Sequence, residues 1–339
     1  MATLTTLIPA YKKEHLAEMF VGLARQTFRD FKVIVSDDSP GDEITAMVRD
    51  GAFGRLTANL DLQVVRGPKN ARLNYQHLLD LWNFSSPYVH MQLDDDAIYP
   101  DFYRTHLAAH ATGLYGVSVS RRWITQDDIR PVHGINLPRC VAESPLLFVP
   151  VYENDLFSSM VPTCNNWVGE FSNMVMSAAG ASRFPTPPAT GLSYYGWPDV
   201  GFLLESIQHQ PMVYIRDHLS IFRQHAQQST NRVINHSGRV SGMAWIAAAL
   251  HAWQEQRISY AEAVNAIMYT VGECLRKFGE DDPVINEMYD IVQQHGASLA
   301  ALHARFTPYW LRVLASHPST DATTYVPAAE RARPELATA

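Results

Sequence analysis

Three consecutive carboxylates, Asp94-Asp95-Asp96, follow the apolar run Tyr88-Val-His-Met-Gln-Leu93 and precede Ala97-Ile98-Tyr99-Pro100. A short run rich in Val, Met and Leu reads as a buried strand, and the Pro-bearing turn ends it. Side by side, three acids repel one another unless a cation or extra protons neutralise them. Oxygen-only ligands of this kind suit Mg²⁺ or Mn²⁺, which bind through one or two carboxylates together with a substrate's phosphates. The implied chemistry is that of a nucleotide or another phosphorylated substrate. A solvated acidic turn is the alternative, and the rest of the chain has to decide between them.

The elements that would position this triplet come in strand, loop, helix units. Residues 3–8 form a β-prone run closed by Pro9-Ala10-Tyr11, and an amphipathic helix is expected over 14–26. Phe31 to Ser36 gives a second strand ending at Asp37-Asp38-Ser39-Pro40-Gly41, and residues 43–49 start a helix. Leu62 to Val65 is a third strand, followed by a loop from Arg66 to Arg72 and a helix to Trp82. Such alternation predicts an α/β fold with a mainly parallel sheet covered by helices on both faces. Ligands of such sheets bind beyond the carboxyl ends of the strands, so the loops at Pro9, Asp37, Arg66 and Asp94 should converge on one crevice. Further on, strands are expected at 117–120, 146–151, 171–176, 213–215 and 219–222, with substrate-specific loops between Gly116 and Asn166. Pro185-Thr-Pro-Pro188 breaks the chain before a helix opens at Gly196-Trp197-Pro198-Asp199, where a carboxylate meets the helix dipole favourably.

Beyond Asn235 the pattern is helical only: 240–254, 259–278, 284–295 and 298–315. The domains read as 1–234 catalytic α/β, 235–318 a helical C-terminal subdomain, and 319–339 a loose Pro-bearing tail. Large apolar residues on these helices, among them Met243, Trp245, Leu250, Trp253, Tyr309 and Trp310, must bury a face. They form a subdomain core, wall an acceptor or build a homodimer, and the Tyr309-Trp310 segment is the one that could meet a membrane.

Across 339 residues the chain is 47% apolar and 18% charged, with a net charge of −7. No Lys/Arg stripe is available to line a nucleic-acid groove. Three widely spaced cysteines, Cys140, Cys164 and Cys274, offer neither a disulfide framework nor a CxxC metal site, which suits a reducing compartment. The N-terminus lacks a basic segment followed by a long apolar one, and no apolar run of about 18 residues occurs. A cytoplasmic protein is expected, with peripheral membrane contact left open.

Taken together, Ile8-Pro9-Ala10-Tyr11, Gln26-Thr27-Phe28-Arg29-Asp30-Phe31, Val35-Ser36-Asp37-Asp38-Ser39, Asn70-Ala71-Arg72-Leu73-Asn74 and Leu93 to Tyr99 resemble, in order and spacing, a GT-A fold glycosyltransferase of the inverting family 2. The resemblance covers the first 230 or so residues, and the C-terminal hundred lie outside it. It implies that Pro9, Ala10 and Tyr11 pack on a nucleobase and that Asp38 accepts a hydrogen bond from it. For Asp37 and Asp38, turn chemistry is the competing role. Arg72 would lie near base or diphosphate, whereas Lys69 and Asn70 could equally be solvated. The triplet fills the family's DxD position, with Asp96 as direct Mn²⁺ or Mg²⁺ ligand, Asp94 at the ribose and Asp95 between them at the nucleotide. Ala97 stands where many relatives carry another acid, so a fourth acidic contact is missing. Asp199 matches the general base, with Pro198 in place of the usual Glu, and Glu170 and Asp155 are reserve candidates. His225, in Arg223-Gln224-His225, matches a third metal ligand or diphosphate contact.

The resemblance thus implies sugar transfer from a nucleoside-diphosphate sugar, UDP above others, to a saccharide, lipid-linked or protein hydroxyl in glycan or polysaccharide assembly. A sugar nucleotidyltransferase would want a Gly-rich loop after the first strand, and Pro9-Ala10-Tyr11-Lys12-Lys13 has no glycine. A non-catalytic nucleotide-binding subunit is the remaining alternative.

Overall fold

A computed structural model describes residues 2–126, 130–185, 191–194, 196–225, 236–279 and 281–316. The expected Pro-rich break at Pro185-Thr-Pro-Pro188, the residues just after His225 and the C-terminal tail lie wholly or largely outside these. Ten strands form one sheet: β1 Leu4–Ala10, β2 Phe31–Asp37, β3 Asp61–Arg66, β4 Tyr88–Met91, β5 Ala97–Ile98, β6 Val117–Thr125, β7 Pro131–His133, β8 Phe148–Val151, β9 Met174–Ser177 and β10 Met212–Arg223. Their order is β3-β2-β1-β4-β9-β6-β10-β5, with β7 on β6 and β8 on β10. Helices α1 Leu16–Ala24, α2 Glu43–Arg49, α3 Gly54–Thr57, α4 Ala71–Trp82, α5 Phe102–His110, α6 Arg139–Ala142, α7 Glu153–Met160, α8 Ala178–Ala181 and α9 Pro198–Ile207 cover its faces.

The first four strands in the order are parallel, with Leu4 of β1 opposite both Phe31 and Tyr88. Beyond β4 the sheet turns mixed. β9 runs antiparallel to β4 and β6, and only β6 with β10 resumes the parallel sense. The segment read as a strand over 171–176 opens as a 3₁₀ turn, Phe171–Asn173, which leads into β9. The two strands expected at 213–222 are one, bent by register shifts between Ile215 and Ser220.

Side chains of the central strands alternate between two apolar layers, as the pleat requires. Leu7 and Ile34 enter one layer, while Leu4, Ile8, Val33 and Val35 enter the other. The first layer continues without a break into α10 His236–Gln254, α11 Tyr260–Phe278, α12 Pro283–His295 and α13 Leu299–Ala315. Ser259 with Glu262, and Asp282 before Pro283, cap α11 and α12 in the way their sequences dictate. The aromatic pair weighed for a membrane is interior. Tyr309 and Trp310 are buried, and the Tyr309 hydroxyl donates to the Val284 carbonyl at 2.7 Å. Among the described residues no helix is long and apolar enough to cross a membrane. The three cysteines are free.

Asp37, at the end of β2, is a structural cap. Its Oδ1 accepts from the Ser39 N–H and hydroxyl, and its Oδ2 accepts from the Thr45 N–H and hydroxyl at 2.7 Å each. Burial alone would raise its pKa, but these four bonds outweigh that and hold the carboxyl below its ordinary value. Asp37→Ala leaves buried backbone donors unpaired, so stability should fall by about 2–4 kcal/mol. Urea unfolding measures this, and a loss under about 0.5 kcal/mol, the range of an ordinary surface change, would contradict the capping role.

Three histidines are buried between α5 and the sheet. His90 pairs with the Tyr103 hydroxyl, His106 with Ser118 Oγ, and His110 with the Val175 carbonyl. Burial pushes His110 down to about 4 and His90 to about 3. Below the ordinary value of 6.5 the unfolded chain therefore takes up protons that the folded chain refuses. Stability from these groups is intact above pH 6.5 and falls as pH drops towards 4, by about 1.4 kcal/mol per pH unit for each group. Comparing His110→Asn with wild type between pH 6.5 and 4.5 should remove about that slope in chemical unfolding, and identical slopes would exclude it.

Candidate active site

The aspartate triplet occupies the turn between β4 and β5, and each carboxylate is tied to a different part of the chain. Asp94 Oδ2 accepts the backbone N–H groups of Tyr11 at 2.7 Å and Lys12 at 2.6 Å, closing the loop after β1. Asp95 Oδ2 lies 2.7 Å from Lys12 Nζ and 3.0 Å from His225 Nε2. Asp96 Oδ1 accepts the Arg223 N–H at 3.0 Å, while its Oδ2 is buried without a hydrogen-bond partner. Arg223 itself is 1% exposed, and its guanidinium reaches the Asp95 carbonyl at 2.9 Å and Glu18 of α1. The end of β10 thus carries the donor groups that hold the triplet in place.

The three carboxyls do not share their charge evenly. Burial and the neighbouring Asp95 push Asp94 up to about 6. Burial, then Asp95 and Glu170, hold Asp96 well above the carboxylate range. Burial would raise Asp95 too, but Lys12 and His225 more than offset it and leave it lowered. The pocket is short of positive charge at Asp96, where an oxygen also lacks a partner. Among the described residues no three His, Cys, Asp or Glu side chains are grouped to hold a metal by themselves.

On the β2 side, the loops converge as expected. The Asp38 N–H donates to the Ala10 carbonyl at 2.7 Å, and Asp38 Oδ1 accepts from the Lys69 N–H at 2.8 Å. Burial raises Asp38, against the opposing pull of Lys69. Gly67 lies so close that an added Cβ would sit 2.1 Å from Asp38 Oδ1. Lys69 Nζ is spent on the Ser39 carbonyl and Asp42, and Asn70 caps α4 through the Arg72 and Leu73 N–H groups. Pro9 and buried Ala10 end β1, and Tyr11 stands half exposed at the rim. Arg72 reaches towards the C-terminal helices, donating to the Leu314 carbonyl at 3.4 Å.

Opposite stands Asp199 in the first turn of α9, its Oδ1 accepting the Val200 N–H at 2.7 Å. Burial raises its pKa against that bond and against Arg122. Glu170 pairs with Arg122, at 2.6 Å and 3.0 Å for the two arms, and its charge acts on both Asp96 and Asp199. The Tyr75 hydroxyl on α4 is raised by burial and then by Asp199, Asp94, Asp95 and Asp96. Tyr75 thus lies within reach of the charges of both the aspartate triplet and Asp199. Asp155, by contrast, caps α7 by accepting the Tyr152 N–H at 3.2 Å.

The fold therefore brings Asp94, Asp95, Asp96 and His225 together, with Tyr75, Glu170 and Asp199 close enough for the charges to act on one another. Sequence reading gave no role to Lys12, Tyr75, Arg122 or Arg223. The available signal for Arg223 was a cation placed directly after the largely apolar run Leu219-Ser-Ile-Phe222, since such a charge needs partners.

No protein-family model matches the chain, and no curated protein matches it. Solved structures do. TarS residues 1–349 from S. aureus, in complex with UDP-GlcNAc, aligns at 14% identity and a TM-score of 0.54, covering 93% of this chain and 91% of that one. The same protein with UDP aligns at 13% identity and a TM-score of 0.51, covering 93% and 90%. A mannosyltransferase from Pyrobaculum calidifontis with GDP-Man and Mn²⁺ aligns at 14% identity and a TM-score of 0.49, covering 93% and 86%. Identity at this level speaks for the fold. The chain has the GT-A-like α/β fold of the TarS structures, a central sheet flanked by helices and extended by C-terminal ones.

Proposed function

We propose that the chain is an inverting, metal-dependent glycosyltransferase that moves a sugar from a nucleoside-diphosphate sugar to a hydroxyl acceptor in glycan or polysaccharide assembly. The observation that supports this reading is the buried carboxylate triplet, in which burial and Asp95 raise both Asp94 and Asp96, with Asp199 near enough to act on the same Tyr75 hydroxyl. UDP is the favoured nucleotide, in line with the UDP and UDP-GlcNAc complexes of TarS.

Asp96 and His225 suit Mn²⁺ or Mg²⁺ as carboxylate and imidazole donors, with the donor's phosphates completing the shell. When bound, the cation would neutralise charge developing on the departing diphosphate. Pro9, Ala10 and the exposed ring of Tyr11 offer a surface for the nucleobase, with Asp38 beside it as hydrogen-bond acceptor. Asp94 keeps one oxygen beyond its bonds to the Tyr11 and Lys12 N–H groups, and this suits a ribose hydroxyl. Arg72 is assigned to the nucleotide side only through a change of rotamer away from Leu314. Asp199 takes the acceptor's proton at its carboxylate as the acceptor oxygen attacks the anomeric carbon from the face opposite the leaving group. Its raised pKa brings it nearer to the operating pH of a base. Glu170, also raised by burial, is held by two bonds to Arg122, which leaves its carboxylate less free to reach an acceptor.

Asp199→Asn keeps size and hydrogen bonding but removes basicity. We expect kcat to fall by about 10² to 10⁴-fold with donor affinity unchanged, because the loss lies in the transition state. The acid limb of the wild-type kcat profile should lie above the ordinary aspartate value of 3.8, since activity rises as the raised group ionises. Near-normal kcat in the variant would move the base elsewhere, and product of retained configuration would overturn single displacement.

For the metal, UDP titrations by calorimetry should be tighter with Mn²⁺ than with EDTA. Asp96→Ala should erase that difference, and because it leaves the buried Arg223 N–H without its acceptor, stability should fall by about 1–3 kcal/mol. Equal affinity with and without metal in the wild type would remove the bridge from the scheme.

A further inference from the structure

Asp199 enters the crevice on a segment with its own anchorage. Ser193, Tyr194, Gly196 and Trp197 lead into α9, and the Trp197 N–H donates to the Tyr194 carbonyl at 2.8 Å. Three groups from the C-terminal helices close on this segment. Trp310 of α13, fully buried, donates its indole N–H to the Ser193 carbonyl at 2.7 Å. Trp245 of α10 meets the Trp197 ring edge-on, with centroids 4.6 Å apart and planes at 75°. At Gly196 an added Cβ would lie 2.3 Å from Leu314 Cδ2, 2.5 Å from Val240 Cγ1 and 2.8 Å from Arg72 Nη2. Helices α13, α10 and α4 therefore meet on one glycine, and Arg72 joins two of them through its bond to the Leu314 carbonyl.

We propose that α10 and α13 act as a positioning clamp for the general base: Trp310, Trp245 and the close packing of Leu314 and Val240 on Gly196 fix Ser193, Tyr194, Gly196 and Trp197, and through them the start of α9 and the carboxylate of Asp199. The inference rests on Asp199 being that base. Physically, a helix start is placed by the chain that enters it, and the second residue of α9 has no freedom once Trp197 and Gly196 are held. The grip is directional as well as apolar. An indole N–H to a main-chain carbonyl fixes the height of the segment, the edge-on ring pair fixes its tilt, and the glycine contact fixes its distance from α10. Displacing a catalytic group by about 1 Å can cost up to about 10²-fold in rate while binding elsewhere is untouched. The donor side, held by β1, β4 and β10, is anchored separately. The clamp thus acts on turnover and leaves donor affinity alone. Trp310, Trp245 and Gly196 are positioning residues, and none belongs to the nucleotide site.

Trp310→Phe removes the indole donor and keeps an aromatic ring, and Gly196→Ala inserts one methyl into the contact. Both are compared with wild type and Asp199→Asn, by kcat, donor KM, UDP affinity from calorimetry, the pH profile of kcat, and melting temperature. The expected result for Trp310→Phe is a kcat lower by about 10-fold or more, UDP affinity within twofold of wild type, and a displaced acid limb in the pH profile. Gly196→Ala should behave alike or more severely. Should it fail to fold, Trp245→Leu takes its place and is held to the same criteria. If Asp199→Asn loses turnover but Trp310→Phe keeps kcat within twofold, or loses kcat and UDP affinity together, the clamp is overturned and the base stands. If Asp199→Asn retains turnover, the underlying assignment fails instead.

Discussion

The structure depends on the confinement of three adjacent carboxylates at the carboxyl edge of a parallel sheet. They are buried, so their mutual repulsion is poorly screened and has to be met by donors at fixed places. The chain supplies those donors from both ends of the sheet domain. Main-chain N–H groups of Tyr11 and Lys12 serve Asp94, Lys12 and His225 serve Asp95, and the Arg223 N–H serves Asp96. What remains unmet is one oxygen of Asp96, and a cation with a diphosphate is the economical way to meet it.

The same constraint explains why neighbouring residues with the same side chain have different fates. Asp37 and Asp38 are adjacent at the end of β2, so the pleat sends them to opposite sides. Asp37 turns into the loop and caps it with four bonds, which lowers its pKa. Asp38 turns towards the crevice, keeps fewer protein donors, and is raised by burial. One carboxylate caps its own loop, and the other ties that loop to the one after β3 through the Lys69 N–H.

The helices beyond residue 235 belong to the same interior as the sheet. The apolar layer containing Leu7 and Met91 runs on to Leu250, Ile267 and Trp310, so removing these helices would open the core. They also press on the segment leading to Asp199, which links the packing of the C-terminal region to the geometry of the site. A domain boundary near residue 235 marks a change in secondary structure more than a gap in the core.

The sequence by itself determined the local elements and the chemistry on offer. Strand periodicity, helix caps such as Ser259 and Asp282, and the strand-end position of Asp94-Asp95-Asp96 are written in short windows, where sterics and burial act over a few residues. The parallel half of the sheet was legible for the same reason, because each β-strand is followed directly by its crossover helix. Only the tertiary structure decided how distant segments meet. The antiparallel insertion of β9 and the merging of 212–223 into one strand depend on pairing with distant strands, and Arg223 meets Asp95 and Asp96 across 128 and 127 residues. Arg72 shows the limit most clearly. In the chain it follows the loop after β3, and in the fold its guanidinium also donates to the Leu314 carbonyl, 242 residues away, a contact that no short window of sequence can show.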